Sequence, residues 1–510
     1  MDTQPGTPED KIIYGDEVHG DKVAGNKITY IYPSPEPIIQ SVHQLPSPSR
    51  DFTGREAELD ELTAALGRGA TITGLRGMGG IGKTALALKL ADGLIERYPD
   101  AQFYLDLRGT SPKPLTPAEA MAHIIRAYHP TAKLPESQAE LEGLYRSVLH
   151  GQCALLLMDN AADRAQVEPL LPPASCLLLV TSRQHFTLPG LYAKDLNVML
   201  PNDAQALLLR IAERINGYSG ELARLCGYLP LALRAAASLL AATPDLAPAQ
   251  YADELRDERT RLECIGTEGV SASVEASLNM SYQRLNEASA CVFRLLAVFP
   301  GSFDTAAEEV VCEDTGHRHL SELVRYSLVD WNESIKRYNL HDLTRLFAEA
   351  RMSDEEHYAV RQRHAAHYET VLRAGNDLYT QGDEALVYSL ALFDLEWPNI
   401  ETGFAWATTN AEKDNNAAQL CMRYPDWPYL LELRLRPQQR IHWFEAALAA
   451  ARRLKDRTGE NTYLGTHIPL HEHGITAKSP LLDDLCLATY SKQVQNQAWR
   501  KPPFGGAEYE

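Results

Sequence analysis

The segment Gly77-Met78-Gly79-Gly80-Ile81-Gly82-Lys83-Thr84 has the spacing G-x-x-x-x-G-K-T. Its chemistry is the holding of phosphate. Glycines let the backbone curl until successive N–H groups point inward at anionic oxygens. A helix opening at Lys83 would add the partial positive charge of its N-terminus. Lys83 would reach the β- and γ-phosphates of a nucleotide, and the Thr84 hydroxyl would ligate Mg2+. The run Ala154-Leu155-Leu156-Leu157-Met158-Asp159 supplies the carboxylate such a loop needs. Asp159 at the end of a buried strand would orient the metal's ligand shell. The next residue is Asn160. An amide takes no proton from water at neutral pH, so a second catalytic carboxylate is absent here and fast hydrolysis is not expected. A third run, residues 177–183, closes on Thr181-Ser182-Arg183. A guanidinium at that strand end could read a γ-phosphate through paired hydrogen bonds; otherwise it is an ordinary surface arginine.

These groups act together only if the elements around them converge. Leu59, Leu62 and Leu66 have helical spacing, with Gly67 and Gly69 ending the pattern. Residues 70–75 read as a short strand, 84–98 as a helix and 102–107 as an alternating strand. Helical patterns follow at 117–127 and 137–149. Residues 153–159 and 176–180 are short unbroken apolar runs, as in strands buried on both faces. Strands alternating with helices predict a parallel, doubly wound sheet. From residue 202 the pattern is helical, with Asn202 or Asp203 as a candidate cap. Residues 266–350 mix helices with a strand-like end, and 355–460 are helical again. The last fifty residues show no sustained period and read as irregular.

The whole chain sets limits on what this machinery serves. Its 510 residues exceed one core and suggest several folded units. A net charge of −19 argues against a general binder of nucleic acid or anionic membrane. The eight cysteines include no C-x-x-C pair, which reads as reduced thiols in a cytoplasmic protein. The first residues lack the basic start and apolar core of a signal peptide. The most apolar helical run, residues 229–242, is broken by Arg234 and too short to span a bilayer.

The ordered motifs resemble the NB-ARC branch of the STAND signalling ATPases, over roughly residues 51–350. Residues 51–56 (DFTGRE) are similar to the family's entry motif near the adenine, and 74–87 to its P-loop. Residues 155–160 are similar to its second Walker motif, and 181–183 to its sensor arginine. Residues 227–233 (GYLPLAL) resemble its GLPLA motif, with Tyr228 as an extra residue. Residues 339–343 (NLHDL) resemble its MHD motif, with Leu340 for Met. The resemblance implies a multidomain α/β plus α protein: a P-loop NTPase sheet, a helical domain, a winged-helix domain and a C-terminal α-helical region. It implies ATP/ADP and Mg2+ as cofactors, with Thr84 and Asp159 on the metal. Phe52, Gly54, Arg55, Gly77, Gly79, Gly80, Ile81, Gly82, Lys83, Thr84, Ala85, Pro230 and His341 would form the nucleotide site, with Lys83, Thr84, Asp159 and Arg183 as its active groups. Pro230 would pack on the adenine, and His341 would meet the β-phosphate of ADP. It further implies a two-state device that rests with ADP, opens with ATP and homo-oligomerises, in bacterial defence or programmed cell death. A winged-helix transcriptional regulator with a nucleotide switch is the alternative. The acidic charge and the few basic residues of 318–326 speak against a nucleic-acid partner.

The expected division is a leader at 1–32, a proline-rich linker at 33–50 and a P-loop domain at 51–200. A helical domain at 201–265, a winged-helix domain at 266–352, a tetratricopeptide-like helical region at 353–464 and an irregular tail at 465–510 complete it. The leader carries three pentads, aligned on Gly15, Gly20 and Gly25 with Val18, Val23 and Ile28. Alone it has too little apolar surface for a core. Stacked, its apolar columns have cross-β character and resemble amyloid-type signalling motifs, so an effector with a matching motif is one expected partner. A flexible leader and an added strand on a partner are the other readings. Around residues 440–465, Ala446, Ala449 and Ala450 would allow close helix packing, as at the start of a helical repeat. His467, His471, Glu472 and His473 lack the spacing of a closed metal site and read as a polar loop. The trigger is not legible.

Overall fold

In the computed structural model, the described residues are 42–472, apart from 69, 112, 265–268 and 334. The pentad leader lies outside them, as do the side chains of His467, His471, Glu472 and His473. Six strands form a parallel sheet: β1 (Val42–His43), β2 (Ile72–Arg76), β3 (Ala101–Asp106), β4 (Ala154–Ala161), β5 (Leu177–Ser182) and β6 (Leu191–Asp195). Their spatial order is β1-β3-β4-β5-β2-β6. Thus β5 stands between the strand that feeds the glycine loop and the strand that carries Asp159.

The apolar runs of β4 and β5 follow from cover on both faces. Side chains alternate across a strand, so one run serves two cores. Leu155 and Leu157 of β4, with Leu177 and Leu179 of β5, join Leu86 and Leu90 of the P-loop helix (Lys83–Asp92). Leu156, Met158, Leu178 and Val180 join Met121, Ile124 and Ile125 of the helix Pro117–Tyr128 and Tyr145 of the helix Gln138–Leu149. The fold class is α/β, followed by a large α-helical portion.

Beyond the sheet, the helices Pro201–Ile211, Ser219–Leu225, Pro230–Ala242 and Pro248–Cys264 come first. The helices Glu287–Leu295, Thr305–Cys312 and Arg318–Arg325 then lead into an antiparallel ribbon, β7 (Asp330–Asn332) with β8 (Arg337–Asn339). The helix Asp342–Glu349 follows directly. Two long helices, Asp354–Tyr379 and Asp383–Asn410, open the C-terminal portion, and Pro437–Leu454 and Arg457–Glu472 close it. The six cysteines whose side chains are described are free. No helix among the described residues is long and apolar enough to cross a membrane.

The structure differs from the sequence reading at several points. The linker 33–50 is not a tether throughout: Val42 and His43 pair with Ala101 and Gln102, extending the sheet edge. Two residues cannot show a period, so no pattern marked them. β6 was unmarked because a half-buried edge strand needs no apolar run. Neither Asn202 nor Asp203 caps its helix; the cap is Leu200, with Pro201 in the first turn. The irregular tail gives up residues 465–472 to a helix. In the helix Pro437–Leu454 the buried small residues are Ala447, Ala450 and Ala451, whereas Ala449 is exposed.

A candidate nucleotide site at the strand ends

The glycine loop joins β2 to the P-loop helix, as its residue types require. Gly77, Gly80 and Gly82 have φ of 148°, 75° and 92°, in the region that favours glycine. Close approach adds a second reason. A Cβ on Gly79 would stand 3.2 Å from Leu343 Cδ1 and 3.3 Å from an Arg183 nitrogen, and one on Gly80 would stand 3.3 Å from Leu231 Cβ. Ile81 turns into the core, and Ala85 sits half-buried in the first helical turn.

Lys83 Nζ donates to the carbonyls of Gly77 and Met78, each at 2.8 Å. Burial, with help from the Arg183 charge, pulls its ammonium down to about 8. Thr84 Oγ1 donates to both Asp159 oxygens, at 2.9 and 3.0 Å. Thr181 also donates to Asp159, and Tyr104 does so at 3.2 Å. Burial pushes the Asp159 carboxyl up, while these hydroxyls and the Lys83 charge pull the other way. A hydroxyl and a carboxylate held together at a phosphate-type loop are hard oxygen donors of the kind Mg2+ takes. Thr84 and Asp159 are therefore the residues that would hold it.

Arg183 leaves the end of β5 and meets Asp342 at 2.7 Å. Asp342 also accepts from Thr110 at 3.0 Å and from the Asn160 amide at 3.4 Å, and pairs with Arg345 at 3.3 Å. Burial works to raise the Asp342 carboxyl, but Arg345, His341, Thr110 and Arg183 outweigh it and hold it below the usual carboxylate range. His341 caps the helix Asp342–Glu349, its Nδ1 accepting from the Leu343 N–H at 3.1 Å. Burial pulls the His341 imidazole down to about 4, against the attraction of Asp342, so it is neutral at neutral pH.

The remaining expected site residues frame the loop. Pro230 opens its helix beside Gly82, 3.5 Å from the position of a Cβ there. The extra Tyr228 adopts φ 57° after Gly227 at 61°, a left-handed pair that sets up the helix start. Gly54 lies against Asp203, which a Cβ would strike at 2.7 Å. Phe52 is half-buried against the main core. Arg55 turns to protein partners: Glu58 at 2.7 Å, the Ile81 carbonyl at 3.2 Å and the Asn197 carbonyl at 2.6 Å. It braces the glycine loop from behind.

Four residues that matter here were not singled out from the sequence. Asp342 was within reach as the acid of the NLHDL motif. Thr181 is the residue two before Arg183. Tyr104 is half-buried on β3 and falls, by alternation, on the face of Gln102 and Asp106 rather than with the apolar Phe103 and Leu105. Thr110 carried no sequence signal, because only the fold brings it to Asp342.

No family profile matches the chain. The Streptomyces coelicolor regulatory protein AfsR is 39% identical over 328 residues, covering 60% of this chain and 33% of that protein. A putative HTH-type transcriptional regulator of Mycobacterium tuberculosis is 27% identical over 437 residues, covering 79% of this chain and 48% of that one. The chain thus spans about a third to a half of the length of these relatives. Among solved structures, a Pyrococcus horikoshii STAND protein with a tetratricopeptide repeat sensor aligns at a TM-score of 0.47 and 15% identity, covering 90% of this chain and 69% of that one.

Proposed function

We propose that this chain is an ATP/ADP-switched signalling NTPase of the STAND kind. ADP on the glycine loop keeps it at rest, and exchange for ATP releases it to oligomerise, with an output in bacterial defence or programmed cell death. Residues 51–200, 201–265 and 266–352 are the moving parts in this reading, and 353–464 is the sensor. The observation that carries it is the Arg183–Asp342 pair. The arginine best placed to read a γ-phosphate is held by an acid from the segment after the β-ribbon. A bound Mg–nucleotide would supply the negative charge that Lys83 and Arg183 answer. Asn160 gives its amide to Asp342, and as an amide it offers no base, so turnover is slow and regulatory.

Magnitudes place the trigger elsewhere. A charged hydrogen-bonded pair contributes about 1.5–3 kcal/mol. Moving from mostly closed to mostly open needs about 5.5 kcal/mol. Nucleotide exchange at this one contact does not suffice, so a second input must contribute. The test is the nucleotide that purifies with the protein. Heat release should yield ADP near one per chain from the parent and little from Lys83→Ala. A parent that carries none, and binds none when offered, overturns the reading.

The name of the mycobacterial relative, a putative HTH-type transcriptional regulator, lends support to a second reading, a nucleotide switch in a transcriptional regulator. A gel shift separates the two. Sequence-specific DNA binding that survives about 0.15 M salt supports the regulator, because non-specific phosphate contacts weaken steeply with salt.

A further inference from the structure

Asp106 ends β3 one strand beyond Asp159, and in the sheet register the two residues are direct partners. Register partners on neighbouring parallel strands point to the same face, and such strands lie about 4.8 Å apart. That face is the one the glycine loop serves. Tyr104, two residues earlier on β3 and so on the same side, packs against the core that holds Leu86 and Leu90 of the P-loop helix. Its hydroxyl reaches Asp159, and Asp159 in turn holds Thr84. Phe103, from the alternate position, joins the other core. Asp106 is therefore a second carboxylate on the nucleotide side of the strand ends.

Asp159 is buried and ringed by the hydroxyls of Thr84, Thr181 and Tyr104. Asp106 is exposed and largely uncommitted. Its Oδ1 accepts the Arg108 N–H at 2.8 Å, and no side chain among the described residues pairs with it. The Arg108 guanidinium turns instead to Glu401, at 3.7 Å. Backbone bonds fix the place of this carboxylate. The Leu107 N–H donates to the Asp159 carbonyl at 2.8 Å and the Gly109 N–H to the Asn160 carbonyl at 2.7 Å, tying the chain just after Asp106 to β4. Asn160 itself is an amide that donates to Asp342. An ionised carboxylate that faces water here, taken by neither a cation nor a hydroxyl, can accept a hydrogen bond from water and aim its oxygen.

We propose that Asp106 positions the attacking water when ATP on the glycine loop is hydrolysed, and so sets the return of the switch to its ADP state. This role rests on the switch reading above, since it needs ATP on the loop. In the step, the water oxygen bonds to the γ-phosphorus, and the bond from that phosphorus to the β–γ bridging oxygen breaks. ADP leaves with the electron pair of that bond. One water proton stays on the attacking oxygen, and the other passes to a second oxygen of the departing phosphate. Asp106 holds the water and stays ionised throughout. A carboxylate that takes up no proton, with Arg183 held by Asp342, gives slow turnover.

The test uses the full chain loaded with one equivalent of Mg-ATP, its bound nucleotide read by chromatography after heat release. The parent should convert ATP to ADP. In Asp106→Ala the ATP should persist about a hundredfold longer, the scale on which misplacing a reactant acts. Asp106→Asn, of the same shape, should slow conversion as well, because an amide accepts more weakly than a carboxylate. Both variants should bind a non-hydrolysable ATP analogue as tightly as the parent and melt like it. Purified from cells, they should carry ATP where the parent carries ADP, and mass photometry should show them assembled. Conversion at the parent's rate in both variants overturns the proposal, as does a parent that binds ATP and never converts it. Lost affinity for the analogue, or binding that no longer depends on Mg2+, also overturns it, by making Asp106 a binding or metal residue. Failure of the switch reading shows separately, as a parent that binds neither ADP nor the analogue.

Discussion

Asp342 gathers four partners from four parts of the chain: Arg183, Thr110, Asn160 and Arg345. Asp342→Asn keeps the shape and removes the charge. Arg183 then loses a charged contact worth about 1.5–3 kcal/mol. If that contact holds the resting arrangement, release of a fluorescent ADP analogue should be about ten- to a hundredfold faster in the variant, read by stopped flow. An unchanged rate would mean that the pair holds nothing shut. Lys83 offers a second test at the same scale. Burial and the Arg183 charge pull its ammonium down to about 8. Phosphate favours the charged form, so a nucleotide raises that value. If the loop binds ADP as proposed, its affinity should be full below about pH 8 and fall as the pH rises through it, by at most about tenfold per unit. Binding above pH 8 must take up a proton. Calorimetry in two buffers of different ionisation enthalpy reads that uptake directly, and no difference between buffers at pH 8.5 would contradict it.

At the scale of elements, the loop after β3 matters more than its composition suggests. Gly109 packs so closely on the end of β4 that a Cβ would lie 2.2 Å from the Ala162 nitrogen and 2.4 Å from the Asn160 oxygen. Both are backbone atoms and neither can swing aside. Gly109→Ala should cost about 1–3 kcal/mol, as overpacking does, and should also push Thr110 away from Asp342. The expected result is a lower melting temperature together with faster nucleotide release. Lower stability alone would separate the packing from the switch. The strands β2 to β5 and the glycine loop were legible because each carries a local signal: a short β-rich run at 70–75, alternation at 102–107, unbroken apolar runs at 153–159 and 176–180, and a fixed G-x-x-x-x-G-K-T spacing. Asp159 was legible for the same reason, as the polar residue that ends such a run. Thr110 and Gly109 were not, because their importance comes from contacts to residues 50 or more positions away. β1 and β6 escaped because edge strands need no buried run. Arg55 matched a motif, yet its guanidinium braces backbone, which no spacing reveals.

For the whole molecule, the question is what keeps the C-terminal helices on the α/β portion. Beside the apolar core that the C-terminal helices share with the rest of the chain, a polar set of contacts joins them to the α/β portion. Arg126, from the helix Pro117–Tyr128, donates to the carbonyls of Leu433 and Arg434 at 3.2 and 2.8 Å. Arg434 answers with a bond to the Pro130 carbonyl at 2.7 Å while its other donors hold Asp394 at 2.8 and 2.9 Å. Lys113 and Arg108 add Glu401. Water can replace each of these bonds, so the polar set is the part of the attachment that a single substitution can loosen. Arg126→Ala removes two bonds across it and leaves Arg434 with Asp394 within the C-terminal portion. Each bond from a charged donor is worth about 1.5–3 kcal/mol, so the pair is a large share of the roughly 5.5 kcal/mol needed to reverse a closed-to-open balance. The variant should be more extended in small-angle scattering with ADP bound, while its helical content stays that of the parent. Given a non-hydrolysable ATP analogue, it should assemble at lower protein concentration than the parent, as read by mass photometry. A variant as compact as the parent, assembling at the same concentration, would show that the C-terminal helices are not what restrains the switch.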